Sequence, residues 1–567
     1  MIEPIHNEWE GWLQRWFIPL LIPAILINAG GLLIPILEPD GSLYATIAKT
    51  IARTGDFINL RVDGRDWLDK PHFPFWMAAI SMRLFGANAF AYKFPALLFW
   101  AAGAWYTWKL AFSLYGKPVA QLATLIYVSA AHLVISNNDV RAEPYLTGLI
   151  IGSVYHFYKA SRVRPGWHLV AGAFLAGCAC MTKGPFVLIT IAAGFVLDWI
   201  WGREWGQFTN IRWLIALVLV ALFTIPEIWC LYVQFDMHPE KLVFGRTGVS
   251  GIRFFFWDSQ FGRFFNTGPI KGNGDLFFYF HTLLWAFLPW SLLLYAAVVY
   301  KCRRSIGAFS HRTVPGDMIC LGGALVSFLV FSLSRFQLPH YLNILFPFFA
   351  ILTAGYLYGV RRKVTQKVLR ISQDIINLLM PVLLLALCWW AFSGHAPVVM
   401  AGVVLATLTA FLLFRGKMLP PAIARSWWMA MLVYAFINFI FYPAILRYQA
   451  GTQAGDFVGR MPPPLPPEGK AYLLQEAPVD YSFEFDCPLP VERVTMDSLA
   501  AISDTGKTLV FAPSAFADSL AGRGMRAYPL AEFANFHISQ LTGEFLNTAT
   551  RQTVLTTWAL MWVTRSK

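Results

Sequence analysis

The amino-acid sequence predicts an α-helical polytopic membrane protein, with about thirteen transmembrane helices, external juxtamembrane helices and a small C-terminal soluble α/β domain. Three observations predict it. Charged residues are 14% of the 567, where soluble chains carry about a quarter. Hydrophobic residues are 57%, more apolar surface than one core can hide from water, though lipid can solvate the rest. Apolar runs close to the roughly 20 residues that a helix needs to cross about 30 Å of hydrocarbon recur along the chain. A water-soluble globule is thereby excluded. The net charge of +13 invites a nucleic-acid reading, but most Lys and Arg sit in short loops on one side of the predicted bundle, so no nucleic-acid partner is expected.

The apolar runs lie at 16–37, 94–113, 119–136, 144–160, 168–182, 185–202, 213–234, 277–299, 317–336, 339–359, 373–394, 396–414 and 427–446. The first follows a polar start with no small-residue cleavage pattern and reads as an uncleaved span rather than a removed signal peptide. With the N-terminus cytoplasmic, the cytoplasmic loops collect Lys117, then Lys159, Arg162 and Arg164, then Arg203 and Arg212. Further along they collect Lys301, Arg303, Arg304 and Arg312, then Arg361, Arg362, Lys363, Lys367 and Arg370, then Arg415, Lys417 and Arg425. Short cytoplasmic loops accumulate Lys and Arg, so the pattern favours both this orientation and an odd number of spans. Five of the seven cysteines, Cys178, Cys180, Cys230, Cys320 and Cys388, lie in apolar runs and read as small buried hydrophobes, with no disulfide framework implied.

That orientation makes 1–446 the transmembrane domain and leaves three long segments outside: 38–93, 235–276 and everything after about Leu446. In the first, Gly41 to Thr54 reads as a short helix with Leu43, Ile47 and Ile51 on one face. A turn follows at Thr54-Gly55-Asp56, and Phe73 to Phe85 reads as an aromatic-rich helix. Both helices are expected to lie at the membrane interface. Pro462, Pro463, Pro464, Pro466 and Pro467 mark a stiff linker over 447–470. The remaining 471–567 is expected to be an external, periplasmic α/β domain, with strand-like runs at Ala471–Leu474, Thr508–Phe511 and Val554–Trp562 and a helical stretch at Ser514–Ala521.

Polar residues gather at the predicted outer ends of the spans. Glu38-Pro39-Asp40 ends the first, Asp69-Lys70-Pro71-His72 precedes the aromatic helix, and Asp139 lies in Asn137–Glu143 after the third. Lys183-Gly184 joins the fifth and sixth, and Leu338-Pro339-His340-Tyr341 joins the ninth and tenth. Alone, Asp40 is explained as the cap of the helix that follows it. Together, carboxylates with cations at one membrane surface suit a reaction on a phosphate-bearing lipid. A carboxylate can accept the acceptor's proton, while Lys and Arg offset the charge on a departing phosphate.

In order, Glu38-Pro39-Asp40 with Tyr44-Ala45, Thr54-Gly55-Asp56, Asp69-Lys70-Pro71, Phe85-Gly86, Asp139, Lys183-Gly184, Pro289-Trp290 and Leu338-Pro339-His340-Tyr341 form a set. The set resembles the C-type membrane glycosyltransferases, among them the lipid A aminoarabinose transferases and the dolichyl-phosphate-mannose protein mannosyltransferases. The resemblance covers roughly the first 350 residues, and beyond them only the layout matches. It implies an inverting glycosyltransferase that moves a sugar, aminoarabinose, mannose or similar, from a polyprenyl monophosphate donor, undecaprenyl phosphate in a bacterium. The acceptor would be lipid A, a glycan or a protein on the outer side of the cytoplasmic (inner) membrane.

The resemblance implies Asp40 as the catalytic acid, with Asp139 and Glu38 as further catalytic candidates. It implies Lys70, Lys183, Tyr341 and an Arg of the 235–276 segment as contacts of the donor phosphate; of Arg246, Arg253 and Arg263, the last is favoured. The aminoarabinose transferases tend to carry Glu before the Lys, whereas this chain has Asp69 there and His72 three residues on. Asp69 and His72 could share a divalent metal, Zn, Mn or Mg; the plainer reading, a helix-entry Asp with an interfacial His, needs none. No other cofactor is expected. The competing readings are a polyprenyl-linked sugar flippase or transporter and a non-catalytic envelope assembly protein. A transporter would put ionisable residues near span midplanes, and here they sit at the outer ends.

Overall fold

The computed structural model describes residues 5–162, 166–310, 318–392, 396–462, 469–504 and 506–565. Arg164, Arg312, Pro463, Pro464, Pro466 and Pro467 of the sequence reading lie outside them. In its described residues each of the thirteen apolar runs is helical over most of its length. Among the described residues, six helices are long and apolar enough to cross a membrane by length and composition: Trp9–Leu33, Ile211–Asp236, Pro339–Gly359, Lys363–Ala391, Ala396–Leu413 and Leu419–Tyr448. Lys117–Val128 and Ala131–Asn138 form a seventh candidate, bent by 50°.

The other runs give helices that are shorter, broken or more polar. Val187–Gly202 and Met318–Leu333 have 16 residues each. The run 277–299 is two helices, Phe278–Ala286 and Ser291–Ser310, parted around Pro289, which has no N–H to donate and crowds the preceding turn. The outside of the bundle is apolar, with Leu26 63% and Val398 79% exposed, as expected where lipid is the solvent. Inside, small residues bring helices together: a Cβ on Gly194 would lie 2.1 Å from the Ile319 carbonyl oxygen.

At one end of the bundle lie helix Asp40–Thr54, the hairpin Arg61–Val62 with Arg65–Asp66, and helix Phe73–Phe85, the two helices within a residue of their expected limits. The rings of Tyr44, Trp67 and Phe75 meet edge to face with centroids 5.9, 5.7 and 5.5 Å apart, tying the hairpin to both helices.

The stretch expected to be a linker contains helix Ala450–Arg460. Ala450, Ala454 and Val458, four apart, bury one face of it against the C-terminal sheet, and the prolines begin only after it. The sheet has five strands in the order Val491–Val494, Ala471–Leu474, Thr508–Pro513, Thr556–Arg565 and Met525–Asn535. The first three are parallel and the last two antiparallel. Ala471–Leu474 is buried along its whole length, as an inner parallel strand should be. The two edge strands had no expectation in the sequence, because edges carry charges such as Glu492, Arg493, Arg526 and Glu532 that dilute the apolar alternation.

Candidate active site at one end of the bundle

Six stretches of chain, remote in sequence, supply the polar residues here. Asp40 is the first residue of helix Asp40–Thr54, and Asp69 and Lys70 precede helix Phe73–Phe85. Arg141 lies between Ala131–Asn138 and Glu143–Arg162, Glu143 is the first residue of the latter, Lys183 ends helix Gly166–Lys183, and Tyr341 is in the turn Pro339–Leu345. Arg263 comes from the segment between the helices ending at Asp236 and starting at Phe278. Two cavities adjoin. One, about 200 Å³, has Asp40, Tyr44, Arg141, Glu143 and His340 on its wall. The other, about 120 Å³, is largely apolar, with Phe186, Leu231, Phe254, Phe255 and Phe331. Asp69, Lys70, Lys183, Arg263, Phe336 and Tyr341 border both.

At the junction, Lys70 Nζ is 2.8 Å from Asp69 Oδ2, and Arg263 Nη2 pairs with Asp69 Oδ1. Removal from water pulls Lys70 below the ordinary lysine value, with Asp69 working against it. The same removal would raise Asp69, but Lys70 and Arg263 outweigh it and hold the carboxyl below its usual range. One carboxylate between two cations leaves a net positive seat suited to a phosphate. Arg263 Nε, buried and without a hydrogen-bond partner among the described residues, leaves a donor unspent there.

Beside it Lys183 pairs with Glu143 and lies 3.7 Å from the centroid of the Tyr341 ring. Burial brings Lys183 down to about 8, with Glu143 opposing. Burial would raise Glu143, but Lys183 and His340 bring it to about 2; His340 Nε2 is 3.8 Å from it. After Lys183 the chain turns through Gly184 at φ +99°, where a Cβ would be 2.2 Å from Gln260 Nε2. Only glycine allows both that turn and the approach of Gln260, which donates to the Lys183 carbonyl.

In the polar cavity Arg141 Nη1 donates to Asp40 Oδ2 at 2.6 Å and Nε to Asp139 Oδ2 at 3.0 Å. Asp40 is 39% exposed and lines the cavity. Asp139 is not on that wall: it holds Arg141 from behind, and burial raises its carboxyl with Arg141 opposing. Glu38 is also away from the cavity. Its carboxyl is buried beside Asp480 of the C-terminal domain and stands well above the usual range, first through burial and then through Asp480. Of the three catalytic candidates only Asp40 faces the space where a substrate would sit, because the helix that begins at Asp40 turns Glu38 toward the other domain.

Asp69 and His72 do not converge as metal ligands. Both ring nitrogens of the fully buried His72 are engaged, Nδ1 with Glu227 Oε1 at 3.0 Å and Nε2 with the Ile58 carbonyl at 2.9 Å, while Asp69 is held by its two cations. Two acceptors facing the ring call for the doubly protonated form. Burial acts against that charge, yet Glu227 raises His72 above its ordinary value. Among the described residues no three of His, Cys, Asp and Glu gather as a metal site. Arg141, Glu143, His340 and Tyr44 carried no role of their own in the sequence reading of the site, although Tyr44 and His340 stand in its motif set. The signal available was a lone Glu heading an apolar run, and nothing in its spacing joined it to Lys183.

The sequence profile of the family described as dolichyl-phosphate-mannose-protein mannosyltransferase matches residues 69–229. An undecaprenyl phosphate-alpha-4-amino-4-deoxy-L-arabinose arabinosyl transferase of Edwardsiella ictaluri is 28% identical over 368 residues, 63% of this chain and 62% of that one. A Pseudomonas fluorescens protein of the same description is 27% identical over 343 residues, 58% of this chain and 56% of that one. The match thus spans less than two thirds of these relatives' length. The crystal structure of ArnT from Cupriavidus metallidurans bound to undecaprenyl phosphate superposes with a TM-score of 0.75 at 18% identity, covering 97% of this chain and 98% of that one. The chain therefore has the C-type membrane glycosyltransferase fold and resembles, in sequence, the aminoarabinose transferases and the protein mannosyltransferases.

Proposed function

We propose that this chain is an inverting glycosyltransferase, moving a sugar from a polyprenyl monophosphate to an acceptor on the outer face of the cytoplasmic membrane. The relatives' descriptions favour undecaprenyl phosphate as the carrier and aminoarabinose as the sugar, and lipid A is the acceptor we favour with it. The observation that carries the reading is the junction of the cavities, an apolar chamber opening on Lys70, Asp69 and Arg263 with Asp40 across the polar chamber. The polyprenyl chain occupies the apolar side, the phosphate lies among Lys70, Arg263 and Tyr341, and the sugar reaches toward Asp40.

The acceptor oxygen attacks the anomeric carbon opposite the phosphate. Its new bond forms as the carbon–oxygen bond to phosphate breaks, and the electron pair leaves with polyprenyl phosphate; one such displacement inverts the carbon. Asp40 takes the acceptor's proton, which requires the acceptor to compete with Arg141 for the carboxylate. Lys70 and Arg263 offset the charge on the leaving phosphate, an effect stronger where water is partly excluded. The sequence reading of thirteen crossings with cytoplasmic basic loops favours an outer position for this end of the bundle and for the C-terminal domain.

The test is mass spectrometry of lipid A after incubation of the purified protein with undecaprenyl-phosphate-linked aminoarabinose. Gain of one amino sugar supports the reading. Donor translocation in vesicles with no sugar on any acceptor would make the protein a flippase instead.

A further inference from the structure

The C-terminal domain takes no part in the chemistry described so far, yet it grips the segment that carries Asp40. Lys49, on helix Asp40–Thr54, is 5% exposed. Its Nζ donates to three backbone oxygens at the end of helix Tyr481–Asp486: Glu484 at 2.8 Å, Phe485 at 2.5 Å and Cys487 at 2.9 Å. An ammonium has three donors, and each is used on carbonyls of a last turn that have no partner within their own helix. On the same face, Thr46 Oγ1 donates to the Tyr481 carbonyl at 3.3 Å and Arg53 Nη2 to the Pro488 carbonyl at 3.3 Å.

Both flanks of the helix are held as well. The Glu38 N–H donates to Gln449 Oε1 at 3.1 Å, and Gln449 Nε2 donates to the Ile36 carbonyl at 3.0 Å. Arg493 Nε is 2.8 Å from Asp63 Oδ1 in the external hairpin. A helix of 15 residues with loops at both ends is marginal by itself, and a group that must meet a proton in flight tolerates little displacement.

We propose that the C-terminal domain belongs to the transfer apparatus, with Lys49 the positioning residue through which it sets helix Asp40–Thr54, and so the Asp40 carboxylate, against the bound donor. The inference rests on the reading of Asp40 as the base. Lys49 borders neither cavity, so its loss leaves the phosphate seat of Lys70 and Arg263 in place.

The experiment compares the full-length wild type, Lys49→Met, Lys49→Arg, Arg493→Met and Asp40→Asn in detergent, measuring polyprenyl phosphate affinity, kcat and thermal midpoint for each. Lys49→Met and Arg493→Met, which loosen the grip at different points, are expected to lower kcat at least tenfold while polyprenyl phosphate affinity stays within twofold. Lys49→Arg, still a multiple donor, is expected to recover part of kcat. The inference is overturned if both Met variants turn over at the wild-type rate while Asp40→Asn does not. It is overturned equally if kcat and donor affinity fall together, which marks a merely structural contact. Should Lys49→Met fail to fold, Arg493→Met and Lys49→Arg decide alone. If Asp40→Asn itself turns over normally, the failure lies with the reading of Asp40.

Discussion

On the proposed reading, Asp40 and Lys70 belong to one external segment but meet different parts of the substrate. Asp40→Asn keeps the shape and removes the base, so transfer should fall by about 10²–10⁴-fold with polyprenyl phosphate binding unchanged. Lys70→Ala should weaken both binding and rate, and Lys70→Arg should restore them only in part, because a planar fork replaces a compact charge. Parallel affinity and turnover measurements check this; normal turnover by Asp40→Asn would remove it as the base. His72 makes a separate prediction through its buried pairing with Glu227. Removing one partner of a buried pair strands the other, so Glu227→Gln should cost about 3–5 kcal/mol in thermal unfolding. The histidine's value is raised in the folded chain. Its contribution is therefore fully present below about 6.5 and lost as pH rises through the raised value, and Glu227→Gln should flatten that dependence.

Helix Tyr481–Asp486 brings two acids into the contact with helix Asp40–Thr54. Burial first, and then Asp63, push Glu484 up to about 9, with Arg493 and Lys49 opposing. Burial likewise pushes Asp486 up to about 7. An acid whose folded value is raised favours the folded state while it holds its proton. The contribution is complete below about 4 to 4.5, the values of the unfolded chain, and is lost as pH rises through 7 to 9. Hydrogen exchange of residues 481–486 should accordingly speed up, beyond its intrinsic pH dependence, between pH 5 and pH 8. Glu484→Gln should reduce that acceleration, and an unchanged profile in the variant would remove Glu484 as its source.

At the scale of the molecule, the proposed chemistry requires the cavity end of the bundle and the sheet domain to share the outer side. In a background lacking the seven native cysteines, Cys at exposed Ser519 should react with an impermeant thiol reagent added to spheroplasts. Cys at exposed Thr209, in a basic loop, should react only after permeabilisation. Labelling of position 209 in intact spheroplasts would reverse the topology. Native Cys487 is no reporter of sidedness, since it is fully buried in the core of the C-terminal domain whichever side that domain occupies.

Length, apolar content and local periodicity act over neighbouring residues, and they sufficed for the polytopic helical class, the two helices beside the cavities and the inner strands of the C-terminal sheet. The sequence by itself also pointed to Asp40, Lys70, Lys183, Arg263 and Tyr341, through short motifs that a resemblance could order. It did not determine partners. That Arg141 spans Asp40 and Asp139, that Glu143 holds Lys183, that Glu38 turns to Asp480 and that His72 answers Glu227 instead of sharing a metal with Asp69 are all contacts across long stretches of chain. Tertiary structure alone decided them, because the cost of burying a charge is met by whichever opposite charge or donor the packing brings within reach, and sequence spacing does not record that distance.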